Sequence, residues 1–546
     1  MIYFCSTSDY TQASIGRFDD AMSPFFQWFC SLFLIVMMTA CSTLPQQQPH
    51  PDVYAFEQDT QQTYLGRLIL PLRAQQPQLT GYHMLHDPLE ALAARLHLIE
   101  KAEKTLDLQY YIWDNDKVGA LAIQALTEAA DRGVQVRLLI DDNNSKAMES
   151  VYLALSQHQN IQVKLYNPYR FRNFRALDLV LDLKRMNRRM HNKSFIADHQ
   201  IALIGGRNMS NQYYHVSDQY QFSDVDVMLV GSATDEIIHS FDEYWNDEYA
   251  YRAQDLINAQ KHQLRYPELK AQLDEHRQQI NVQNYLDLAN RSQAVQQWLN
   301  EKIAFNWVEA TVLKDHPAKI KGNSPKEDYL YYQLGENLLS PQQHLDIISA
   351  YFVPEKSGTA LLSALSQHNV EVRVLTNSYQ ANDVPFVHAF YRKYRPELLS
   401  NGIALYEFLA RTEFDGLNKN NLEISKQAKV SLKSLSRSSL HTKMISVDDK
   451  QVFIGSYNLD PRSAYLNTEI GVILNSPQLA TAIHESLDNN IHQYAYQVVL
   501  NADQRLHWKL TDKQGQISTF TKEPKMKWWQ QGFMHVLGWL PIESFM

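Results

Sequence analysis

The chain has 546 residues, enough for two or more domains with full cores. Its apolar fraction of 45% and charged fraction of 20% are those of an ordinary soluble protein, and a formal net charge of −9 argues against broad, nonspecific nucleic-acid binding, which needs positive surface. All three cysteines, Cys5, Cys30 and Cys41, stand near the N-terminus, so beyond Cys41 neither a disulfide nor a thiolate metal site can form.

From Phe25 to Met38 the chain is almost wholly apolar, a run too short for a comfortable membrane span and followed by the small-residue ending of a cleaved signal. Met38, Thr39, Ala40 and Cys41 resemble a bacterial lipobox, which implies a signal peptide over residues 1–40 and Cys41 as the lipid-modified first residue of the mature protein. Met22 is an alternative start and an uncleaved anchor the alternative fate; either way the chain is tied to a membrane. Residues 41–80 are rich in Gln and Pro without sustained periodicity and are expected to be a tether.

Folded structure is expected from Gly81. Asp87 and Pro88 form a helix N-cap and first turn, and Leu89, Leu92, Leu96 and Ile99 follow at helical spacing. Next come a strand from Leu106 to Trp113, a helix ending near Arg132 and Gly133, and a strand from Val134 to Asp141, an order that indicates a parallel sheet with right-handed crossovers. Arg172, Arg175, Lys184, Arg185, Arg188 and Arg189 are interspersed with Phe171, Phe174, Leu177, Leu179 and Leu183; the mixture suits an anionic headgroup with acyl chains, or else is a basic surface helix.

The stretch HNKSFIADHQIALIGGRN, from His191 to Asn208, recurs as HTKMISVDDKQVFIGSYN, from His441 to Asn458. Each copy reads as a hairpin around a polar turn, at Asp198 in one and Asp448 in the other. Residues two apart in a strand share a face, so His191 lies beside Lys193 and His441 beside Lys443. Asp198, five residues past Lys193, is roughly 17 Å away at about 3.3 Å per residue and cannot touch the same reacting atom; Asp198 and Asp448 are read as structural turn residues. Folding back brings Gly205 and Gly206 opposite His191, and Gly455 and Ser456 near Lys443, where small residues admit close approach; Asn208 and Asn458 can cap a following helix and offer an amide to the site, and Gly206, Ser456, Asn208 and Asn458 are expected to bind substrate. After each hairpin a matching segment aligns Asp224 with Glu469, carboxylates able to hold a histidine ring N–H; Asp226 is the rival in the first half.

Residues 251–339 are Gln-rich and charge-rich at helical spacing and read as a connector. From His344 the plan of the first half repeats, so the halves are internal copies over 81–250 and 340–510. The tail, 511–546, sets Lys525 and Lys527 beside Trp528, Trp529, Phe533, Val536, Leu537, Trp539 and Leu540; it suits the headgroup layer of a bilayer, or a helix docked on the protein's own core. His215, His344 and His388 read as surface or packing residues.

The doubled His-x-Lys-x4-Asp motif, each copy extended to the same Gly and Asn, resembles the phospholipase D superfamily. The basic stretch ending RRMHNK, with GGRN, GSYNLDPRS and LNTE, is most similar to its bacterial cardiolipin synthase branch. The resemblance implies an α/β fold of two homologous halves, each a mixed, largely parallel sheet flanked by helices, packed as a pseudo-dimer around one shared site. It also implies a phosphohistidine on one His, with the other as acid and then base. Physically, two imidazoles can divide nucleophile and proton donor near neutral pH, while Lys193, Lys443, Asn208 and Asn458 surround the phosphoryl oxygens, so neither metal nor cofactor is required. His191 is assigned as nucleophile and His441 as acid, with the reverse order open. The function expected is a membrane-tethered phosphatidyltransferase forming cardiolipin from phosphatidylglycerol, facing the periplasm, monomeric and without a nucleic-acid partner. The donor is a second phosphatidylglycerol or phosphatidylethanolamine. The alternatives are hydrolysis to phosphatidic acid, a nuclease, and an inactive scaffold; one departure from the branch is a lipidated Cys where many members carry membrane spans.

Overall fold

A computed structural model describes residues 44–47, 51–55, 59–216, 221–279, 304–410, 438–512, 514–540 and 542–543. The expected signal peptide and Cys41 lie outside these residues.

In the first half, helix Pro88–Lys101 starts where Asp87 accepts from the Glu90 N–H at 2.9 Å. Strand Thr105–Tyr110 follows, buried along its whole length, and helix Lys117–Asp131 stops ahead of Gly133, whose φ of +100° only glycine takes easily. Edge to edge, the first sheet runs Asn306–Val308, Thr80–Leu85, Asp226–Gly231, Ile201–Gly205, Ser194–Ala197, Thr105–Tyr110, Gln135–Asp141, Ile161–Tyr166 and Ala250–Arg252. The second runs Ala310–Lys314, Ile470–Leu474, Gln451–Gly455, Lys443–Val447, His344–Ser349, Glu371–Asn377, Ala404–Phe408, Ala495–Leu500, Leu506–Thr511 and Ile517–Phe520. The order corresponds strand for strand through the middle of both, as internal copies require. Parallel pairing, expected to dominate, is confined to three neighbouring strands of each sheet. The flanking strands pair antiparallel, because the motif returns through a tight turn that only antiparallel neighbours can use.

Those turns are built alike. Asp198 and His199 have φ of +47° and +53°, Asp448 and Asp449 +50° and +49°, the left-handed pair that a two-residue hairpin turn needs. The Asp198 carboxylate accepts from the N–H groups of Glu103, Lys104 and Thr105 at 3.0, 2.8 and 3.0 Å, and Asp448 from those of Gln342, Gln343 and His344 at 2.8, 2.8 and 3.0 Å. Each aspartate thus ties its hairpin to the start of the neighbouring strand.

The halves meet over a shared apolar layer that includes Ile204, Val227 and Leu229 from one and Ile454, Val472 and Leu474 from the other. Gln221–Ser223 pairs in parallel with Ser438–Leu440 across the divide.

Three boundaries differ from expectation. Within 41–80, helix Tyr64–Gln75 sinks Leu65 and Ile69 into the first core, and the Ala55 N–H reaches Asp242 at 2.8 Å, so folded structure precedes Gly81. Leu65, Leu68, Ile69 and Leu72 carry the helical spacing that the surrounding Gln and Pro obscured. Within 251–339, helix Tyr266–Arg277 packs Leu269 and Leu273 on the first core, Asn306–Val308 and Ala310–Lys314 enter opposite sheets, and Leu330 and Leu334 enter the second core. The second sheet continues past Leu510 to Ile517–Phe520. Helix Trp528–Gly538 then docks Met534 and Leu537 against Ala389, leaving Trp528 84% and Trp539 77% exposed.

Candidate active site

Each histidine is positioned by the opposite half. The His191 N–H donates to the Thr468 carbonyl at 2.9 Å and the His441 N–H to the Ser223 carbonyl at 2.7 Å. Thr468 and Ser223 each precede an orienting carboxylate, so the backbone bond delivers that carboxylate to the ring. His191 Nδ1 lies 2.8 and 3.0 Å from the two Glu469 oxygens, and His441 Nδ1 lies 2.6 Å from Asp224 Oδ2. The pairing is crosswise, which alignment of the halves did not reveal. With Nδ1 engaged, Nε2 of each ring is the nitrogen left to react.

Ser456 and Ser463 donate hydroxyls to Glu469, the latter at 2.9 Å, and the Glu469 N–H donates to Asp315 at 2.9 Å; Asp315 in turn holds the buried Lys319 at 2.9 Å. At the position equivalent to Ser456 stands Gly206, where an added Cβ would lie 2.3 and 2.5 Å from the Asp224 oxygens. Gly206 and Ser456, expected to bind substrate, instead back the two carboxylates. Asp226 is taken by Arg95 at 2.8 Å and Arg207 at 3.4 Å, which leaves Asp224 to reach the imidazole.

Lys193 donates to the His191 carbonyl at 2.6 Å, and Lys443 Nζ stands 3.0 Å from His441 Nδ1. Burial pulls Lys193 down to about 7, with Glu469 opposing and Lys443 reinforcing the shift, and it lowers Lys443 as well. Burial also lowers His191 to about 4, although Glu469 pulls upward, and takes His441 well below the imidazole range with Lys443 and Lys193 adding to the effect. Both rings are therefore neutral at pH 7 before an anion arrives. The two carboxylates diverge. Burial raises Asp224 despite Lys443 and Arg207; it would raise Glu469 too, but His191 and Lys193 outweigh it and hold that carboxyl below its ordinary value.

Both histidines line one cavity of about 430 Å³, with Asn208, Asn458, Tyr111, Tyr351, Asp383, Asp460 and Arg462 also in its wall. Asn208 accepts from the Ile112 N–H at 3.1 Å and donates to the Tyr213 hydroxyl at 2.8 Å, while the Asn458 side-chain oxygen is buried with no hydrogen-bond partner among the described residues. Burial raises Asp460 to about 7 against the Ser463 N–H that it caps. The arginines expected to face a headgroup are largely neutralised inside the protein. Arg172 bonds Asp142 at 2.9 Å and Glu149 at 2.6 Å, Arg175 meets Glu149 at 3.1 Å, Arg185 meets Asp182 at 2.7 Å, Arg188 donates to the Lys319 carbonyl at 2.6 Å, and Arg189 donates to the Asn167 carbonyl at 3.0 Å. What that segment presents outward is apolar: Phe174 is 72% and Val180 80% exposed. His388 is buried against Glu523 at 2.6 Å and His344 stacks on His484.

Sequence reasoning missed Tyr111 and Tyr351. Their rings stand edge-on to His191 and His441, and the alignment of Tyr110–Trp113 with Ala350–Val353 carries the signal for them. It also missed Asp383, for which the repeat offers no signal.

The family described as cardiolipin synthase, PLD-like domain, matches residues 96–245 and 334–491. Cardiolipin synthase C of Escherichia coli (strain K12) is 36% identical over 480 residues, covering 88% of this chain and 99% of that protein. An uncharacterized protein of Helicobacter pylori (strain J99) is 30% identical over 458 residues, covering 83% of this chain and 88% of that protein. Among solved structures, the phosphatidylserine synthase of Haemophilus influenzae Rd KW20 superposes with a TM-score of 0.51 at 16% identity, covering 78% of this chain and 91% of that one, a likeness of fold.

Proposed function

The chain belongs to the phospholipase D superfamily, in its cardiolipin synthase-like group, and is a phospholipid phosphatidyltransferase; from that premise we propose that it makes cardiolipin by passing a phosphatidyl group onto phosphatidylglycerol through a phosphohistidine. The observation that carries the reading is the single cavity into which both imidazoles open, each held at Nδ1 by a carboxylate of the opposite half.

His191 Nε2 attacks the donor phosphorus, the bond to the headgroup oxygen breaks, and His441 gives that oxygen its proton. A hydroxyl of phosphatidylglycerol then loses its proton to His441 and attacks the phosphorus, and the P–N bond breaks to restore His191. The ionised Glu469 behind His191 suits the ring that must carry positive charge while bonded to phosphorus, which favours this order over its reverse. The arriving phosphate draws protons toward His441, and Lys193 and Lys443 offset its charge. The donor is phosphatidylglycerol or phosphatidylethanolamine.

A lipid on Cys41 would hold the enzyme at the membrane on its periplasmic face, and the exposed Trp528 and Trp539 with Lys525 and Lys527 suit the headgroup layer. Among the described residues no helix is long and apolar enough to cross a membrane. Purified protein given mixed phospholipids should yield cardiolipin by mass spectrometry, and both His191→Asn and His441→Asn should abolish it. Full activity in both variants would overturn the reading, and phosphatidic acid as the dominant product would replace transfer with hydrolysis.

A further inference from the structure

The internal repeat places one tyrosine on each side of the cavity, and the structure partners the two differently. Tyr111 lies edge-on to His191 with centroids 5.1 Å apart, and Tyr351 edge-on to His441 at 6.5 Å. The Tyr111 hydroxyl accepts from the Asn143 amide at 3.0 Å, and Asn143 in turn accepts from the Tyr169 hydroxyl at 2.8 Å, so this side ends in a neutral relay. The Tyr351 hydroxyl meets the two oxygens of Asp383 at 2.9 and 2.8 Å.

Asp383 is exposed and lines the same cavity as the half-buried Tyr351 and the buried His441. Its charge has the wrong sign for a phosphate, which the lysine pair and Arg462 suit instead. A carboxylate has about four lone-pair positions, and the Tyr351 hydroxyl together with the backbone N–H of Asp383 itself leaves others able to accept from a ligand. The reaction brings such a ligand to this side: the departing and the entering alcohol both exchange their proton with His441, across the phosphorus from His191. A glycerol headgroup has a second hydroxyl beyond the one that reacts, whereas water and a simple alcohol have none.

We propose that Asp383, held by Tyr351 beside His441, is the subsite for the spare hydroxyl of the glycerol headgroup, and that it directs the phosphatidyl group to a polyol in preference to water. This rests on the reading of His191 as the phosphatidyl carrier.

The test lets acceptors compete for one intermediate, so that any loss in its formation cancels. Full-chain protein in mixed micelles, with a fluorescent phosphatidyl donor, is offered glycerol against 1-propanol and, separately, phosphatidylglycerol against 1-propanol, and the products are quantified. Asp383→Ala should lower both product ratios about tenfold, the worth of about one charge-assisted hydrogen bond. Asp383→Asn and Tyr351→Phe should lower them less, and phosphatidic acid should rise at the expense of the polyol product. A residue that merely holds the loop would slow every acceptor equally. Ratios equal to wild type in both Asp383 variants overturn the proposal, as does a fall with phosphatidylglycerol alone, since free glycerol carries the same hydroxyls. Wild-type protein that forms no phosphatidyl product overturns the parent reading and this subsite with it, an outcome distinct from an active enzyme whose product ratios ignore Asp383.

Discussion

Glu469→Gln isolates the cross-half carboxylate with little change in shape. Ser456 donates to one Glu469 oxygen and Ser463 to the other, at 2.9 Å, so the single side-chain oxygen of the glutamine keeps one of these bonds and the hydroxyl facing its NH2 turns to accept. What disappears is a full negative charge within 2.8 Å of His191 Nδ1. At an effective dielectric of about 20, a unit charge about 4 Å from the developing imidazolium is worth about 4 kcal/mol, or roughly a thousandfold in rate. An amide N–H turned toward Nδ1 would also push the ring proton onto Nε2 and block attack. Single-turnover labelling of the protein by a phosphatidyl donor should therefore slow by about two to three orders of magnitude, with the unfolding midpoint little changed. A donor with a good leaving group such as p-nitrophenolate should not rescue Glu469→Gln. It should rescue much of the loss in Asp224→Asn, because Asp224 serves the proton donor. Labelling by Glu469→Gln within about threefold of wild type, or equal rescue of both variants, would refute the crosswise assignment of roles.

Gly206→Ala should fold yet lose activity by about a hundredfold, because its Cβ would lie 2.3 Å from Asp224 Oδ1 and must displace the carboxylate that holds His441; steady-state turnover beside a thermal melt checks this. Lys193, brought to about 7 by burial, is charged below that pH and neutral above it, so kcat/KM should fall as pH rises through about 7, and Lys193→Arg should move that limb upward if the larger side chain is accommodated. His191 protonates only toward about 4, so the acid limb of the same profile should lie well below the 6.5 of a free imidazole. Trp528→Ala with Trp539→Ala should leave stability within about 0.5 kcal/mol, since both side chains are mostly exposed, while cosedimentation with phosphatidylglycerol vesicles falls about tenfold.

The repeated motif by itself determined the two hairpins, the adjacency of each His to a Lys, the turn aspartates and the alignment of Asp224 with Glu469. All of these depend on residues close along the chain, where strand period and turn chemistry act locally. Tertiary structure alone decided which carboxylate serves which ring: His191 and Glu469 are separated by 278 residues and His441 and Asp224 by 217, and their contact follows from the packing of one half on the other. The same distance effect hid the fate of the basic stretch, whose Arg172 and Arg175 read as free cations until Asp142 and Glu149 arrive from the starts of two earlier helical turns. It also hid Asn306–Val308 and Ala310–Lys314, short segments whose strand character comes from the sheet edges that receive them. Asp383 acquires meaning only once folding sets it against Tyr351, because a charge in a loop has no chemistry until a partner and a cavity are beside it.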